Sequence, residues 1–260
     1  MANNFPIGLF DSGIGGLSIY YEIKNYLPAE STIYIADNLN APYGKKTKAE
    51  IIELSIKNTQ KLIDLGSKLI VVACNTATTN AIEVLRNKFN IPIVGIEPSI
   101  KPAMLDTKTN NIGVLATEKT LSSNLFQETS NKFSEGVNIH EQVGFDLVRI
   151  IEENGIKRKL LNPKLKKYIQ PMLKNNIDHL VLGCTHYYFL IDLLKNILPN
   201  KVKILDSSKA VTKRVQNLLK NYNISSNGST NAKNIFLFTG TDLIIRKFLS
   251  NEYEIKKVIL

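Results

Sequence analysis

Two cysteines stand at the ends of apolar runs, and polar residues follow each at once. The first run reads Leu69-Ile70-Val71-Val72-Ala73-Cys74-Asn75-Thr76-Ala77-Thr78; the second reads Leu180-Val181-Leu182-Gly183-Cys184-Thr185-His186. They are the only two cysteines in 260 residues, and they lie 110 positions apart. A short β-branched and Leu-rich run reads as a buried parallel strand. The residue just past such a strand lies at the carboxyl edge of the sheet, where α/β proteins bind ligands. Two thiols so placed can serve as acid and base on opposite faces of one small substrate, which is what inverting a carbon centre requires.

Other readings of the cysteines compete with this one. A buried Cys is often a small, inert hydrophobe. Met1-Ala2-Asn3-Asn4-Phe5-Pro6 has neither a basic start nor an apolar stretch, so no secretory leader is expected. A cytoplasmic chain keeps its thiols reduced, which argues against a disulfide. The three histidines are His140, His179 and His186, and neither CxxC nor HxxxH spacing occurs; no metal site is expected. His140 and His179 read as structural. The repeated setting of Cys74 and Cys184 is what favours chemistry.

Four segments could complete a site. Asp11-Ser12-Gly13-Ile14-Gly15-Gly16 lies between a strand signal and a helix signal. It lacks the G-x-G-x-x-G dinucleotide pattern, but its glycines permit a tight turn, and a helix start offers N–H donors to a carboxylate. The simpler alternative is a capped turn with Asp11 or Ser12 as N-cap. Asn75-Thr76 and Thr185-His186 follow the cysteines, where backbone amides can meet substrate oxygens. A helix N-terminus there is expected to lower the thiol pKa from its usual value of about 8.5. His186 can relay a proton or donate one to a carboxylate. In Ala41-Pro42-Tyr43-Gly44-Lys45-Lys46, a turn, Tyr43 either packs or meets a ligand at a cleft mouth.

The elements that must carry these residues alternate. Pro6–Phe10 reads as a strand, Leu17–Leu27 as a helix stopped by Pro28, and Thr32–Ala36 as a second strand. Ala49–Leu65 is an amphipathic helix ended by Gly66. The Cys74 strand follows, then a helix over Ala81–Phe89 and a strand over Ile93–Ile96. Such alternation implies a mostly parallel sheet flanked by helices. A second cycle starts near residue 110: Ile112-Gly113-Val114-Leu115-Ala116-Thr117 echoes Ile7-Gly8-Leu9-Phe10-Asp11-Ser12. The offset, close to that between the cysteines, matches Ser12 to Thr117 and Cys74 to Cys184. The expected fold class is α/β: two pseudo-symmetric domains, each a mostly parallel sheet flanked by helices, with the site in the cleft between them. Residues 1–98 and 208–260 form the first domain and 99–207 the second. Ser225–Asn231 reads as a flexible loop, Asn234–Thr239 as a strand, and the chain as closing with a helix.

Composition sets bounds. With 43% hydrophobic residues the chain can build a real core. No apolar stretch approaches the roughly 20 residues that span a bilayer, so no membrane partner is expected. The net charge is +10, yet only five of 33 basic residues are Arg, the residue favoured for phosphate recognition. Lys157-Arg158-Lys159 and Lys166-Lys167 have no interleaved aromatics and read as solvated helix faces. A nucleic-acid partner is not expected, though a positive field helps attract an anionic substrate.

These stretches together carry a resemblance. Gly8–Ser18, Ala41–Gly44, Val71–Thr78, Gly95–Pro98, Ile112–Thr117 with Thr120, and Leu180–Tyr187 run in order over nearly the whole chain, and the tail from Asp206-Ser207 also fits. The chain resembles the glutamate racemases of the cofactor-independent aspartate/glutamate racemase superfamily. The resemblance implies reversible conversion of L- to D-glutamate in the cytoplasm, without cofactor, for bacterial cell-wall synthesis. It implies that Cys74 serves the D-enantiomer and Cys184 the L-enantiomer, each assisted by the nearer of Asp11 and His186. Ser12, Tyr43, Gly44, Asn75, Thr76, Thr117, Thr120 and Thr185 would hold substrate with Asp11 and His186, and Glu152 would support His186 from behind. Two departures occur: Tyr188 stands where many relatives have Pro, and Glu141-Gln142-Val143-Gly144-Phe145-Asp146 replaces a segment that often carries Cys-Pro. Three alternatives stay open: an aspartate racemase, a hydantoin-type racemase, and a DNA- or gyrase-binding role. A homodimer is left open too.

Overall fold

The computed structural model describes residues 5–133, 136–226, 232–249 and 253–260. Its elements run β1 (Ile7–Asp11), α1 (Leu17–Tyr26), β2 (Thr32–Ala36), α2 (Lys48–Asp64), β3 (Leu69–Val72), α3 (Asn75–Lys88), β4 (Ile93–Gly95), α4 (Ile100–Asp106) and β5 (Asn111–Ala116). There follow α5 (Glu118–Leu121), α6 (Asn124–Phe133), β6 (Asn138–Val143), α7 (Leu147–Asn154), α8 (Arg158–Lys174) and β7 (His179–Gly183). The chain ends with α9 (Ile191–Lys195), β8 (Lys203–Leu205), α10 (Ser208–Asn221), β9 (Asn234–Phe238) and β10 (Glu254–Lys257).

The strands form two parallel sheets. One has the order β10-β9-β2-β1-β3-β4 and the other β6-β5-β7-β8. The run β2-β1-β3-β4 recurs as β6-β5-β7-β8, so the echo between Ile7–Ser12 and Ile112–Thr117 is topological as well as local. In register, Phe10 pairs with Val72 and Ala116 with Gly183. The first sheet adds β9 and β10 at its far edge, beside β2.

Burial explains why the runs are strands. Every residue of β1, β2, β3 and β7 is buried, as parallel strands covered by helices on both faces must be. Helix boundaries follow local chemistry. Thr47 accepts from the Glu50 amide while the Glu50 carboxylate accepts from the Thr47 amide, a reciprocal cap that starts α2,. One apolar cluster joins Leu9 and Val71 of the first sheet to Leu115 and Leu180 of the second, so the two halves share a core beneath the cleft.

Two expectations need correction, and a third falls largely outside what is described. The helix after Cys74 starts at Asn75, not Ala81, because the cysteine itself is the N-cap and the polar Asn-Thr-Ala-Thr-Thr segment is the first turn. The chain closes with a short 3₁₀ turn, Ile245–Lys247, and then β10; Glu254, Lys256 and Lys257 are exposed around the half-buried Ile255, an alternation that suits an edge strand. Most of the polar 225–231 segment lies outside the described residues.

Candidate active site

Both cysteines sit where a strand hands over to a helical turn. β3 ends at Val72, and Cys74 keeps extended backbone angles (φ −121°, ψ 120°) as the N-cap of α3. Its Sγ accepts from the Ala77 amide at 3.5 Å and donates to Ser12 Oγ at 3.7 Å. β7 ends at Gly183, and Cys184 is extended too (φ −150°, ψ 132°), but it leads into a 3₁₀ turn, Thr185–Leu190, and makes no side-chain cap bond. Its Sγ lies 3.9 Å from His186 Nδ1. Both thiols are free and buried.

Residues from both halves line one small, nearly closed cavity between the sheets. Ser12, Tyr43, Gly44, Cys74, Asn75 and Thr76 reach it from the first half, and Thr117, Cys184, Thr185 and His186 from the second. Pro42 and Val148 complete the wall; neither was singled out in the sequence. Val148 is a plain aliphatic residue on α7 and gives no sequence signal. Thr120 stands behind the wall, where Thr76, Thr117 and Thr120 form a hydroxyl cluster with Oγ1 separations of 2.9, 2.9 and 3.4 Å. Asn75 is 2% exposed, and neither its side-chain nitrogen nor its oxygen bonds another protein group. A buried amide left in this way is costly unless something else meets it, and this one stands at the cavity wall.

Asp11 and Glu152 brace the site from opposite sides. Asp11 is fully buried. One carboxylate oxygen accepts from the Gly13 amide at 2.8 Å, and the other from Thr185 Oγ1 at 2.9 Å. The second bond crosses from one half of the molecule to the other. Burial pushes the Asp11 pKa up to about 6, against the opposing pull of His186, the Gly13 amide and Thr185,. Glu152 Oε1 accepts from His186 Nε2 at 2.6 Å and from the Ile14 amide at 2.7 Å. Burial would lower the His186 pKa, but hydrogen bonds to Cys184 and Glu152 and their negative charge raise it well above the usual value. Despite the departures at 141–146 and Tyr188, α7 brings Glu152 to His186. The approach is close: a Cβ at Gly13 would lie 1.8 Å from Glu152 Oε1, so a side chain at position 13 would push the carboxylate away from His186.

The expected lowering of the Cys74 pKa does not occur. Burial raises it, Asp11 and Cys184 add negative charge nearby, and the Ala77 amide and Ser12 offset only part. Desolvation of a thiolate outweighs a helix N-terminus when the sulfur is this enclosed. Cys74 therefore rests as a thiol.

The histidines divide as expected. His179 Nδ1 lies 2.7 Å from Asp178 and Nε2 3.1 Å from Asp106, and His140 bonds Asn111 at 3.0 Å, both away from the cavity. Among the described residues no group of three or more His, Cys, Asp or Glu is placed to hold a metal. No helix among them is long and apolar enough to cross a membrane. Behind Tyr43 sits a buried hub that the sequence did not announce: Asp37 accepts from Tyr43 OH at 2.5 Å and from Thr239 Oγ1 at 2.8 Å.

Paired parallel sheets, with a thiol at one strand end of each and a polar cavity between, define an α/β enzyme built for acid–base chemistry across a cleft. Residues 7–215 match the Asp/Glu/Hydantoin racemase family, and the chain belongs to that family of isomerases. A glutamate racemase of Ralstonia pickettii is 39% identical over 245 residues, covering 94% of this chain and 86% of that one. The crystal structure of a glutamate racemase isoform of Bacillus anthracis superposes with a TM-score of 0.90 at 30% identity, covering 99% of this chain and 98% of the other. The Escherichia coli glutamate racemase, solved with L-glutamate and an activator, gives 0.84 at 30% identity over 97% of each chain.

Proposed function

We propose that this enzyme interconverts L- and D-glutamate by proton transfer between two thiols. The observation that carries the reading is that Cys74 and Cys184 reach one cavity from facing strand ends. Similarity to glutamate racemases, one of them bound to L-glutamate, supports the substrate. Asn75, with its unpartnered amide, and the hydroxyls of Ser12, Thr76, Thr117 and Thr185 hold the ammonium and carboxylate groups, with Thr120 behind Thr76 and Thr117 and Tyr43 and the Gly44 backbone closing one side.

The steps balance as follows. Cys184, as thiolate, takes the α-proton of L-glutamate: its S–H bond forms, the C–H bond breaks, and the electron pair passes into the carboxylate. The Cys74 thiol gives its proton to the opposite face, which yields D-glutamate and leaves Cys74 as thiolate. Reversal starts from that state. A proton on His186 Nδ1 stabilises negative charge on the Cys184 sulfur, and Glu152 holds the ring in place. Asp11 tethers Thr185 across the cleft and sets the charge near Cys74. The α-proton is weakly acidic, so preorganised donors in a water-poor cavity must carry much of the barrier lowering. D-glutamate formed in this way would feed cell-wall synthesis, and reduced thiols suit the cytoplasm. In this reading residues 1–98 with 208–260 are one domain and 99–207 the other.

The test is direct. Purified protein with L-glutamate, treated with chelator and hydroxylamine, should lose optical activity to an even mixture of enantiomers, followed by circular dichroism. L-aspartate in place of L-glutamate should racemise far more slowly. An unchanged L-glutamate signal would refute the reading.

A further inference from the structure

Tyr34 is fully buried in the middle of β2. Its neighbours in register are Leu9 of β1 and Phe236 of β9, so a purely apolar side chain would satisfy the strand. Its hydroxyl nevertheless reaches the loop that follows β1. It donates to the Gly13 carbonyl at 2.7 Å, and the Gly16 amide is directed at its oxygen. Burial, with Asp11, Glu152 and Cys74 nearby, raises its pKa well above the usual value, so the phenol keeps the proton it donates.

The bond acts on one particular peptide. The Gly13 carbonyl and the Ile14 N–H belong to the same amide plane. Tyr34 holds the oxygen of that plane, and Glu152 Oε1 accepts from its nitrogen at 2.7 Å. The same Glu152 oxygen accepts from His186 Nε2 at 2.6 Å, and His186 Nδ1 lies 3.9 Å from the Cys184 sulfur. An amide whose carbonyl accepts a hydrogen bond is a stronger N–H donor. A continuous line of bonds thus leads from a first-sheet tyrosine to the base at the end of the second sheet.

We propose that Tyr34 is a positioning residue for racemisation: its buried hydroxyl fixes the Gly13–Ile14 peptide, which holds Glu152 against His186. The inference rests on the two-thiol reading above. Tyr34 touches no reacting atom. What it supplies is the angle of one peptide, and through it the seat of the imidazole beside Cys184.

The experiment is Tyr34→Phe, which removes one oxygen, assayed beside the unaltered protein with both glutamate enantiomers. Racemisation by the unaltered protein is the control; its absence would fail the two-thiol reading, not this one. With that control active, kcat/KM should fall several-fold, up to about tenfold and no further than Glu152→Gln takes it, because the hydroxyl acts through that carboxylate. The fall must be equal in both directions, because enantiomers have equal free energies. The kinetic signature is asymmetric. The deuterium isotope effect should rise with α-deuterated L-glutamate, whose proton leaves to Cys184, and shrink with the D-isomer. Tyr34→Phe combined with Glu152→Gln should lose little more than Glu152→Gln alone, since both act on one link. Placing 4-aminophenylalanine at position 34 restores a donor at the same point and should recover part of the rate. Full activity in Tyr34→Phe, losses that simply add in the double variant, or isotope effects that move together would overturn the proposal. Should Tyr34→Phe fail to fold, 4-fluorophenylalanine at position 34, which fills the hydroxyl's place without a donor, carries the test: an unaltered rate, or losses fully additive with those of Glu152→Gln, would refute the proposal.

Discussion

Cys74 and Cys184 occupy equivalent places in a repeated topology, yet their surroundings differ in kind. Cys74 caps a 14-residue helix and has an amide and a serine hydroxyl for partners. Cys184 enters a 3₁₀ turn and faces an imidazole backed by a carboxylate. Both keep extended backbone angles at a strand end, but the charges around them differ. Burial and negative neighbours hold Cys74 as a thiol, whereas the Cys184 sulfur has the His186 imidazole 3.9 Å away. Two matched bases would need the same help. The proposed reaction uses this difference, with the Cys74 thiol as the acid and Cys184, beside the imidazole, as the base for L-glutamate.

The largest break in this comparison is removal of either sulfur. Cys74→Ala and Cys184→Ala should each abolish measurable racemisation, since positioned acids and bases supply about 10²–10⁴-fold apiece. The fold should survive with a loss on the order of 1–2 kcal/mol, as for small core truncations. Chiral chromatography and thermal melts check both halves. Residual exchange of the α-proton of one enantiomer in each variant would sharpen the assignment of thiols to faces.

A smaller effect separates the two supports. His186→Asn should cut kcat by about 10²–10³-fold, because it removes the charge beside the Cys184 sulfur. Glu152→Gln keeps an acceptor for the Ile14 amide but loses the carboxylate charge, so its loss should be smaller, on the order of tenfold. An equal loss in the two variants would show that Glu152 acts on more than the imidazole.

Asp11 gives a prediction of opposite sign for activity and stability. Its carboxyl has a pKa of about 6 when folded, against an ordinary value of 3.8. A raised carboxyl pKa favours the fold at low pH, and that advantage is lost as pH rises through about 6. Asp11→Asn, uncharged throughout, should therefore gain stability relative to the unaltered protein between about pH 4 and 7. The gain should level off near 2–3 kcal/mol, on the order of the shift converted at about 1.4 kcal/mol per unit. Racemisation should fall steeply in the same variant. The unaltered enzyme should show an acid limb in kcat/KM near pH 6 as Asp11 is protonated. Urea melts across pH and a rate profile check these. Lost stability at high pH would mark Asp11 as a simple cap.

Much of this site is legible in the sequence because it hangs on strand ends. An apolar run followed by Cys-Asn-Thr or Cys-Thr-His fixes the edge at which those side chains appear, whatever the wider packing. The repeat was legible for the same reason, since β1 and β5 share a pattern and a topological place. The start of α3 was misplaced because a run of Asn and Thr reads as loop, and only the cysteine cap makes it a first turn. The closing strand was missed because lysines and a glutamate on an edge carry little pattern. Burial of Cys74 was invisible, since its desolvation depends on the second half of the molecule closing over it. Tyr34 and Asp37 were hidden for a related reason: each sits in or just beyond a strand-like run, and what matters is a bond to a loop distant in sequence.

The central claim is that two thiols work on opposite faces of one α-carbon, and racemisation in D₂O tests it most directly. Starting from protiated L-glutamate and sampling at early times, the newly formed D-glutamate should carry deuterium at the α-carbon, because Cys74 delivers a solvent-exchanged proton. The remaining L-glutamate should stay protiated. Equal deuterium in both enantiomers at early times would contradict the account and leave a single base that exchanges and inverts on its own.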